Sequence, residues 1–299
     1  MVDFVWGIDL GGTKIEGIVL PAVNSVEPIC RIRVATEANH GYKHICQKIC
    51  TLIEKMTAEV GQKPQALGIA TPGMLDPNTG LIKNSNTTCL IGEPLQSDLK
   101  NELDIDVELA NDANCFALAE ARLGAGKGAE TVFGIIMGTG VGGGLVIHDR
   151  ILYGCQGIAG EWGHNVLDAQ GLDCYCGRRG CVETFLSGPH LEQFYEKASG
   201  VKRRLPNIFQ LHLNHSDPAA TATIEHLIEY FGRAVAVVIN LLDPHVIILG
   251  GGVSNIDVLY TEGLKHLEPW VFNDRCQTKI VQNKLGDSAG VFGAAMLVA

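Results

Sequence analysis

The sequence predicts an α/β protein that is built from two similar domains. The chain has 299 residues, which is more than one typical domain of roughly 100–150 residues. Two glycine-rich segments, 7–20 and 134–147, align without gaps and share five identical positions. Each half also has a later apolar run that ends in glycine, at 68–73 and 246–252. An internal duplication at this spacing favours two domains that face each other over a repeat array.

Composition excludes several classes of partner. The formal net charge is −10 and is spread without long runs, which disfavours a nucleic acid or an anionic membrane as partner. No apolar run reaches the roughly 18–20 residues that span a bilayer, and the N-terminus lacks the basic region of a signal peptide. We therefore expect a cytoplasmic protein, whose ten cysteines are thiols or metal ligands and not a disulfide framework.

The first glycine-rich segment is typical of a β-hairpin. Apolar runs at 4–9 and 15–20 predict two strands, and residues 10–14 form the turn between them. The backbone N–H groups of such a turn make a nest for an anion, although a plain glycine hairpin has the same pattern. It is not a P-loop, because the spacing differs and no helix follows. Asp9, at the end of the first strand, is a candidate to hold Mg²⁺ directly or through water.

The rest of the first half continues the α/β pattern. Residues 30–35 and 66–70 predict strands, and apolar residues at helical spacing between 45 and 56 predict a helix. The second of these strands ends in Thr71-Pro72-Gly73. A polar cluster follows at 84–86, and it fits either a sugar-hydroxyl contact or an ordinary solvated loop.

Asp112 stands between a strand pattern at 107–110 and a helix pattern at 115–124. An acid at this place is commonly a helix N-cap, because its oxygen accepts the N–H groups of the first turn. The alternative is a general base that is held in a cleft between the two domains. Considered alone, the residues leave both interpretations open.

The second glycine-rich segment follows a predicted strand at 131–137 and precedes another at 145–148. Gly138, Gly140 and Gly143 match the pattern G-x-G-x-x-G. A dinucleotide-binding fold needs a helix after that turn, whereas an apolar strand follows here. We therefore interpret the segment as a second phosphate-binding hairpin, so that two facing hairpins suit a nucleotide in the cleft between them.

A short glycine-rich loop carries the most specific chemistry in the chain. Its candidate metal ligands are His164, Cys174, Cys176 and Cys181. Three thiolates and one imidazole match a closed tetrahedral Zn²⁺ site, and three reduced cysteines without a metal are the alternative. Glu161 and Glu183 flank the loop, either as surface acids or as groups that a rigid, metal-tied loop aims at a polyol.

The last third predicts one long helix and a second glycine-rich strand end. Residues 219–242 predict a largely buried helix, and 246–249 predict a strand that leads into Gly250–Gly252. Glycine at that place lets a flat base lie against the backbone. Residues 279–282 predict an edge strand, and 290–298 predict a small-residue helix that packs back on the first domain.

In this order the motifs resemble the ROK (repressor, open reading frame, kinase) sugar kinases. The motifs are Gly7-Ile-Asp-Leu-Gly-Gly-Thr-Lys14, Asn111-Asp-Ala-Asn114, Gly138-Thr-Gly-Val-Gly-Gly143, Gly160-Glu-Trp-Gly-His164, Cys174-x-Cys-Gly-x-x-Gly-Cys-x-Glu183 and Leu249-Gly-Gly-Gly252. The resemblance implies a two-domain actin-like ATPase (ribonuclease H-like) fold with an interdomain active-site cleft. It also implies a small N-terminal domain, 1–115 plus 288–299, and a large C-terminal domain, 116–287, that carries the zinc loop. The family's repressor branch has an N-terminal helix-turn-helix, which we do not expect here because the phosphate hairpin begins at residue 7.

The resemblance assigns a role to each candidate residue. Asp112 is the expected catalytic base. The expected sugar-binding residues are Gly73, Asn86, Asn111, Glu161, His164 and Glu183. The expected residues near ATP and Mg²⁺ are Asp9, Gly11, Gly12, Thr13, Lys14, Gly138, Thr139, Gly140, Gly250, Gly251 and Gly252. His164 is expected to give one ring nitrogen to a structural Zn²⁺, beside the three cysteines, and the other nitrogen to the sugar.

The resemblance further implies an ATP-dependent hexose kinase that acts on the 6-hydroxyl of its sugar. Three segments, 83–88, 160–165 and 174–177, are most similar to bacterial fructokinases, so fructose, with mannose beside it, is the expected substrate. Segment 111–118 is shared with N-acetylglucosamine kinases, which remain the main rival, together with N-acetylmannosamine kinase and glucokinase. A non-catalytic sugar sensor is the alternative from another class. The family is often dimeric, so a homodimer is compatible with the sequence.

Overall fold

The structure is a computed structural model, and it describes residues 4–299. The chain divides into two compact units. Of the described residues, unit 1 comprises 4–130, 144–159 and 284–299, and unit 2 comprises 131–143 and 160–283. The domain boundaries expected from the sequence, 1–115 with 288–299 and 116–287, stay a prediction. No helix in the described part of the chain is long and apolar enough to cross a membrane.

Strands and helices alternate along much of the chain. The strands are β1 (Val5–Leu10), β2 (Lys14–Leu20), β3 (Cys30–Ala35), β4 (Ala66–Thr71), β5 (Met74–Leu75), β6 (Ile82–Lys83), β7 (Asp106–Asn111), β8 (Thr131–Met137), β9 (Val141–Ile147), β10 (Arg150–Ile151), β11 (Val246–Gly250) and β12 (Lys279–Gln282). The α-helices are α1 (Tyr42–Val60), α2 (Leu95–Leu103), α3 (Asp112–Arg122), α4 (Glu183–Leu186), α5 (Gly188–Ser199), α6 (Leu205–Leu213), α7 (Pro218–Leu242), α8 (Glu262–Leu267) and α9 (Ala289–Met296).

Unit 1 is built around a five-stranded sheet in the order β3-β2-β1-β4-β7. The pairs β1–β2 and β2–β3 are antiparallel, whereas β4 and β7 run parallel to β1. The parallel strands β1, β4 and β7 therefore end at one edge of the sheet. In open α/β sheets, ligands bind outside the carboxyl ends of the strands, so this edge positions the candidate site.

Two helices pack on this sheet with apolar side chains and closely spaced backbones. The face of α1 predicted from its spacing is buried, and it consists of Ile45, Ile49, Leu52, Ile53 and Met56. The predicted small-residue helix near the C-terminus is α9, and it packs on β1 and β4 within unit 1. Gly7 and Gly68 make that contact possible. A Cβ at Gly7 would lie 2.5 Å from the nitrogen of Ala295, and one at Gly68 would lie 1.8 Å from the oxygen of Ala294.

Strands β8, β11 and β12 of unit 2 are parallel, within a sheet of order β10-β9-β8-β11-β12. The predicted edge strand at 279–282 is confirmed as β12. The long helix α7 begins at a cap, because the Asp217 side chain accepts the N–H groups of Ala219 and Ala220 at 2.8 and 3.3 Å. It ends at Asp243, whose positive φ of 43° turns the chain out of the helix.

Strand β9 differs from the sequence prediction, which began it at Leu145. It begins at Val141 and includes three glycines, Gly142–Gly144. Glycine weakens a strand but marks a close backbone approach. In unit 2 a Cβ at Gly143 would lie 2.7 Å from the oxygen of Gly160, and in unit 1 a Cβ at Gly144 would lie 2.5 Å from the oxygen of Ala113. The glycine run is therefore part strand and only its first residues form the turn.

Candidate active site

In unit 1, three predicted site segments meet at the carboxyl edge of the sheet. Asp9 is next to the last residue of β1 and pairs with Ala70 of β4, while Thr71 of β4 pairs with Asn111 of β7. Gly73 follows two residues after β4 ends, and its carbonyl accepts the Thr71 hydroxyl at 2.7 Å. The register therefore places the predicted magnesium, sugar and catalytic residues of this unit along one edge.

The turn of the first hairpin is held by hydrogen bonds, and its tip is exposed to solvent. The N–H of Gly11 donates to the Lys14 carbonyl at 2.9 Å, and the Thr36 hydroxyl donates to the Gly11 carbonyl at 2.7 Å. Gly12, Thr13 and Lys14 are exposed. A fixed turn with exposed backbone N–H groups and a lysine is suited to phosphate oxygens.

The carboxyl group of Asp9 has a raised pKa. Burial, and then the negative charges of Asp112 and Glu16, raise the pKa of Asp9 to about 6, while Lys14 and Arg33 oppose the shift. Carboxylates that repel one another in this way are the ligands that a hard cation prefers, because the cation reduces their repulsion. The residues present therefore fit a Mg²⁺ site at Asp9.

The cap of α3 is Asn111 and not Asp112. The Asn111 side-chain oxygen accepts the N–H of Asn114 at 2.8 Å, and Asn111 has the extended backbone of an N-cap. Asp112 is the first helical residue, and its Oδ1 accepts the N–H of Ala113 at 2.8 Å. The capping interpretation of Asp112 is wrong, because the helix begins one residue earlier than that interpretation requires.

Asp112 combines solvent access with a desolvating environment. Its side chain is exposed, so a small molecule can reach the carboxylate. Burial by the wider surroundings nevertheless raises the pKa of Asp112, and the N–H of Ala113 opposes that shift. Water can touch the carboxylate while protein atoms fill the next shells, so the two observations are compatible. A carboxylate with a raised pKa is a stronger base than a free one, which is the property that a general base needs.

The loop expected to meet the sugar in unit 1 is closely packed around Gly73. A Cβ at Gly73 would lie 2.7 Å from the Ser85 Cβ and 2.8 Å from the Lys83 oxygen. Ser85 is buried and its hydroxyl accepts the N–H of Thr87 at 3.1 Å, whereas Asn86 between them is exposed. Gly73 therefore packs against the residue that precedes Asn86 in the sequence, and Asn86 itself is exposed.

In unit 2, the second hairpin is hydrogen-bonded to the first residues of α4 and α5. The buried carboxylate of Glu183 accepts the N–H of Val141 at 2.9 Å, and the N–H of Gly188 donates to the Gly138 carbonyl at 2.9 Å. A Cβ at Gly140 would lie 2.6 Å from the Glu183 Oε2. The hairpin expected at the phosphates and the acid expected at the sugar are thus in direct contact.

The segment with Glu161 and His164 packs on the same hairpin. A Cβ at Gly163 would lie 2.0 Å from the Val141 oxygen, so only glycine permits this approach. Beyond it, Val166 forms a β-bridge with Cys181, and the Val182 N–H donates to the Asn165 carbonyl at 2.9 Å. These pairings bring the chain around Glu161 and His164 alongside the chain that leads into Glu183.

The four predicted zinc ligands form one cluster. The ligand atoms of His164, Cys174, Cys176 and Cys181 all lie within 4.8 Å of one another. The sulfurs of Cys176 and Cys181 are 3.6 Å apart, and the Cys174 sulfur is 3.6 Å from the His164 Nδ1. Zinc bonds of about 2.3 Å to sulfur and about 2.0–2.1 Å to nitrogen make tetrahedral edges of roughly 3.6–3.8 Å. The residues present therefore fit the metal.

Two residues that contact His164 were not predicted from the sequence. The Tyr175 hydroxyl lies 3.0 Å from the His164 Nε2, and the Arg178 guanidinium donates to the His164 carbonyl at 2.8 Å. Tyr175 stands between two predicted ligands, and that position was the only signal in the sequence. Arg178 gave no signal, because its contact depends on how the loop folds back.

The glycines after β11 approach the second hairpin. A Cβ at Gly251 would lie 2.4 Å from the Met137 oxygen, and Gly251 has a positive φ of 80°. Gly252 is exposed and has no atom within 4 Å of an added Cβ. The structure thus places the predicted adenosine-side glycines next to the residue that opens the turn at Gly138.

The chain matches known proteins along its whole length. A family model described as the ROK family matches residues 5–299. An N-acetyl-D-glucosamine kinase from Vibrio cholerae is 37% identical and covers 98% of both chains. The crystal structure of a ROK hexokinase from Thermus thermophilus is 31% identical with a TM-score of 0.88, and it covers 98% of this chain and 97% of that chain. A ROK family glucokinase from Streptomyces griseus, solved with glucose and AMPPNP, is 29% identical with a TM-score of 0.79 and covers 98% of each chain. These likenesses confirm the predicted two-domain actin-like ATPase fold.

Proposed function

The chain belongs to the ROK family and is a sugar kinase, and we propose that it transfers the γ-phosphoryl group of ATP to the 6-hydroxyl of N-acetylglucosamine. The observation that carries the choice of sugar is the 37% identity to the Vibrio cholerae N-acetyl-D-glucosamine kinase over 98% of both chains. Full-length identity outweighs the three short segments that made fructose the first expectation. Those segments keep fructose as the second candidate.

Asp112 is the proposed catalytic base. It accepts the proton of the sugar 6-hydroxyl as that oxygen attacks the γ-phosphorus and the bond to the β-phosphate oxygen breaks. Its solvent access and raised pKa support this role. In phosphoryl transfer, positioning and charge neutralisation contribute more than deprotonation, so the base is one of several necessary parts.

In this proposal the sugar-binding residues are Gly73, Asn86, Asn111, Glu161, His164 and Glu183. Glu183 also has a structural role, because its carboxylate accepts the N–H of Val141 in the hairpin of unit 2. Sugar contact and hairpin position are therefore linked through one side chain.

The two glycine hairpins are the proposed phosphate contacts. The proposed contacts of the first hairpin are Gly11, Gly12, Thr13 and Lys14, and those of the second are Gly138, Thr139 and Gly140, with Gly250–Gly252 near the adenosine. Asp9 would hold the Mg²⁺ of the nucleotide, and that ion would neutralise phosphate charge. The cluster of His164 and three cysteines would hold a structural Zn²⁺ that fixes the loop bearing the sugar contacts.

An ADP-release assay across a panel of sugars tests the proposal. The panel contains N-acetylglucosamine, N-acetylmannosamine, fructose, mannose and glucose. We expect the highest kcat/KM for N-acetylglucosamine, by at least about tenfold over fructose, since a site built for one polar substituent rejects sugars that lack it. Phosphorus and carbon NMR of the product checks that the 6-hydroxyl carries the phosphate.

Two results would overturn parts of the proposal. A higher kcat/KM for fructose would restore the expectation drawn from the short segments. Sugar binding by calorimetry without any sugar-dependent ADP release would make the protein a sensor and not a kinase.

A further inference from the structure

A second group of metal-ligand side chains lies where the chain passes from β3 into α1, apart from the residues of the proposed active site. It consists of Glu37, His40 and His44, and we call it the Glu37 cluster. One ligand atom from each of the three lies within 4.8 Å of the other two. Within residues 4–299, only this cluster and the one at His164 bring three or more such atoms together at this spacing. The Glu37 cluster contains no cysteine, so its chemistry is different.

The carboxylate and the two imidazoles of the Glu37 cluster are already in contact. The Glu37 Oε2 lies 2.9 Å from the His44 Nε2, and the rings of His40 and His44 meet edge to face with centroids 4.8 Å apart. Glu37 and His40 are exposed, and His44 is partly exposed. A cation from solution can therefore reach all three ligand atoms without displacing a buried side chain.

The local backbone explains why these side chains converge. Glu37 has a positive φ of 53°, which is uncommon for a residue other than glycine, and the chain there turns into the short 3₁₀ helix Ala38–His40. The His40 N–H donates to the Glu37 carbonyl at 3.0 Å, and His44 follows in the first turn of α1. On the other side, the Thr36 N–H donates to the Thr13 carbonyl at 3.0 Å. The backbone that carries the ligands is therefore held on both sides by its own hydrogen bonds.

Two imidazoles and one carboxylate select a class of cation. Imidazole nitrogen suits Zn²⁺, Ni²⁺, Cu²⁺ and Fe²⁺, whereas Mg²⁺ and Ca²⁺ prefer oxygen ligands. Bonds of about 2.0–2.2 Å to nitrogen and oxygen place neighbouring ligand atoms roughly 3–3.5 Å apart around such an ion. The distances in the Glu37 cluster, from 2.9 Å to at most 4.8 Å, lie close to that range, so small side-chain rotations complete the geometry. Water can fill the remaining coordination positions, because the cluster is open to solvent.

Lys48 is the group that competes with a cation for Glu37. Its ammonium lies 2.8 Å from the Glu37 Oε2, the same oxygen that contacts His44. The side chains of Lys48 and Glu37 are 28% and 42% exposed, and an ion pair at the surface contributes little to stability. The long lysine side chain can therefore move into solvent and leave the carboxylate to a metal. Lys48 should lower the affinity of the site without abolishing it.

We propose that Glu37, His40 and His44 form a surface binding site for a divalent transition-metal cation of the Zn²⁺ and Ni²⁺ class. The bound cation joins the turn after β3 to the first turn of α1. Its ligands are separate from the thiols of the cysteine cluster and from Asp9, the residue proposed for Mg²⁺. The inference does not depend on which reaction the protein catalyses.

Calorimetry with Ni²⁺ tests the site in the full chain without a histidine tag. Ni²⁺ suits imidazole, whereas thiolates select Zn²⁺, so the protein is first loaded with Zn²⁺ and then freed of weakly bound ions by dialysis. We expect the wild type to bind about one Ni²⁺ per chain. His40→Ala and His44→Ala should each raise the Kd by at least about tenfold, since even the loss of a second-shell partner costs about 10–100-fold in metal affinity.

The matched control is His266→Ala. His266 is an exposed histidine that lies 3.3 Å from one carboxylate, that of Glu229, and it belongs to neither metal cluster. It should keep the wild-type Kd for Ni²⁺. Millimolar Mg²⁺ should also leave that Kd unchanged, because a hard cation does not compete for imidazole.

Two substitutions test the part of Glu37. Glu37→Gln should raise the Kd for Ni²⁺, because it removes the one anionic ligand. Lys48→Gln should lower the Kd several-fold at low ionic strength and less at high salt, because the ammonium repels the cation and salt screens that repulsion. An unchanged or higher Kd in Lys48→Gln would remove Glu37 from the site and overturn the three-ligand assignment.

The urea unfolding midpoint gives an independent readout, because an ion that binds the folded chain raises it. Ni²⁺ should raise the midpoint of the wild type and not that of His44→Ala, and the two midpoints should agree when Ni²⁺ is absent. A wild type that binds no Ni²⁺, or variants at His40 and His44 that bind it as tightly as the wild type, would overturn the inference. Displacement of Ni²⁺ by millimolar Mg²⁺ would contradict the proposed class of cation.

Discussion

Asn111 and Asp112 are adjacent residues whose oxygens are committed to different partners. The Asn111 oxygen fixes the first turn of α3 by capping the N–H of Asn114. Asp112 is therefore not needed as the cap, and its carboxylate is placed at the beginning of a helix whose N-terminus it does not close. A carboxylate that stands on a fixed backbone and is not needed as the helix cap is well placed for catalysis.

Replacing Asp112 by asparagine should preserve the fold and remove the base. The amide keeps the size of the side chain, so we expect sugar binding to remain. General-base catalysis contributes about 10²–10⁴-fold, and we expect kcat to fall by at least the lower of these factors. The matched control is Asp106→Asn, an exposed acid at the start of the same strand β7, which should keep the wild-type kcat. A wild-type kcat in Asp112→Asn would remove Asp112 from the mechanism.

Asp9 should make the protein less stable as the pH rises. Its pKa is about 6 in the folded state against an ordinary value of 3.8, so the folded chain binds more protons between these values than the unfolded chain does. Stability contributed by protonated Asp9 is therefore present below pH 3.8 and is lost as the pH rises through about 6. Asp9→Asn should raise the unfolding free energy at pH 8 by about 2 kcal/mol without Mg²⁺, and the gain should vanish near pH 4.

Urea unfolding of both proteins across that pH range, with EDTA present, measures this difference. Asp76→Asn is a control of opposite sign, because the Lys83 ammonium lowers the pKa of Asp76. Removing that carboxylate should reduce stability above the ordinary pKa. The assignment of Asp9 would be wrong if Asp9→Asn gained nothing at pH 8, or if it kept the wild-type kinase activity and Mg²⁺ dependence.

At the scale of the element, the loop between His164 and Cys181 has isolated β-bridges but no strand or helix of its own. Its backbone hydrogen bonds belong to turns and bridges, and the four predicted metal ligands converge at its base. A metal at that point would add local folding free energy to that of these backbone hydrogen bonds. The positions of Glu161 and Glu183 would then depend on it.

Cys176→Ser should release the metal. A hydroxyl is a poor zinc ligand, so we expect about one Zn²⁺ per wild-type chain and much less in the variant by elemental analysis. We expect faster proteolysis within 165–181 and a higher sugar KM. Cys155→Ser is the matched control, because Cys155 is an exposed free thiol outside the cluster. Pure wild-type protein without zinc would contradict the metal assignment.

Elements with strong local patterns were predictable from the sequence, and those defined by distant contacts were not. The strands at 30–35, 131–137 and 279–282 have the predicted bounds, because each is a distinct run between turn residues. Five helices, α2, α4, α5, α6 and α8, were not predicted, since they are short and their apolar faces are narrow. The glycines of β9 suggested only a turn, because the backbone approaches that permit them to form a strand come from elsewhere in the chain.

In the candidate site, too, some contacts were predictable from the sequence and others were not. The cysteine spacing predicted the cluster at His164, and the structure brings those four residues together. Two hydrogen bonds could not be predicted: the one between Tyr175 and His164, and the one that the Val141 N–H donates to Glu183. Each depends on a side-chain direction that residue spacing does not encode.

At the scale of the whole molecule, each unit is assembled from separate stretches of chain. Unit 1 takes residues 284–299 from the C-terminus, and α9 within them packs on β1 and β4 at the opposite end of the sequence. The core of unit 1 is therefore incomplete until the last residues are present. Its stability depends on long-range contacts through glycines, where backbone meets backbone.

Gly68→Ala tests this dependence in the full chain. The added Cβ would lie 1.8 Å from the carbonyl oxygen of Ala294, and a helix backbone cannot give way as a flexible side chain can. Overpacking of this kind costs about 3 kcal/mol, and we expect the denaturant midpoint to fall accordingly. Gly252→Ala is the matched control, because an added Cβ there meets nothing within 4 Å and should leave the midpoint unchanged. An unchanged midpoint in Gly68→Ala would mean that α9 can leave the sheet at little cost, and that the C-terminal segment does not complete the core of unit 1.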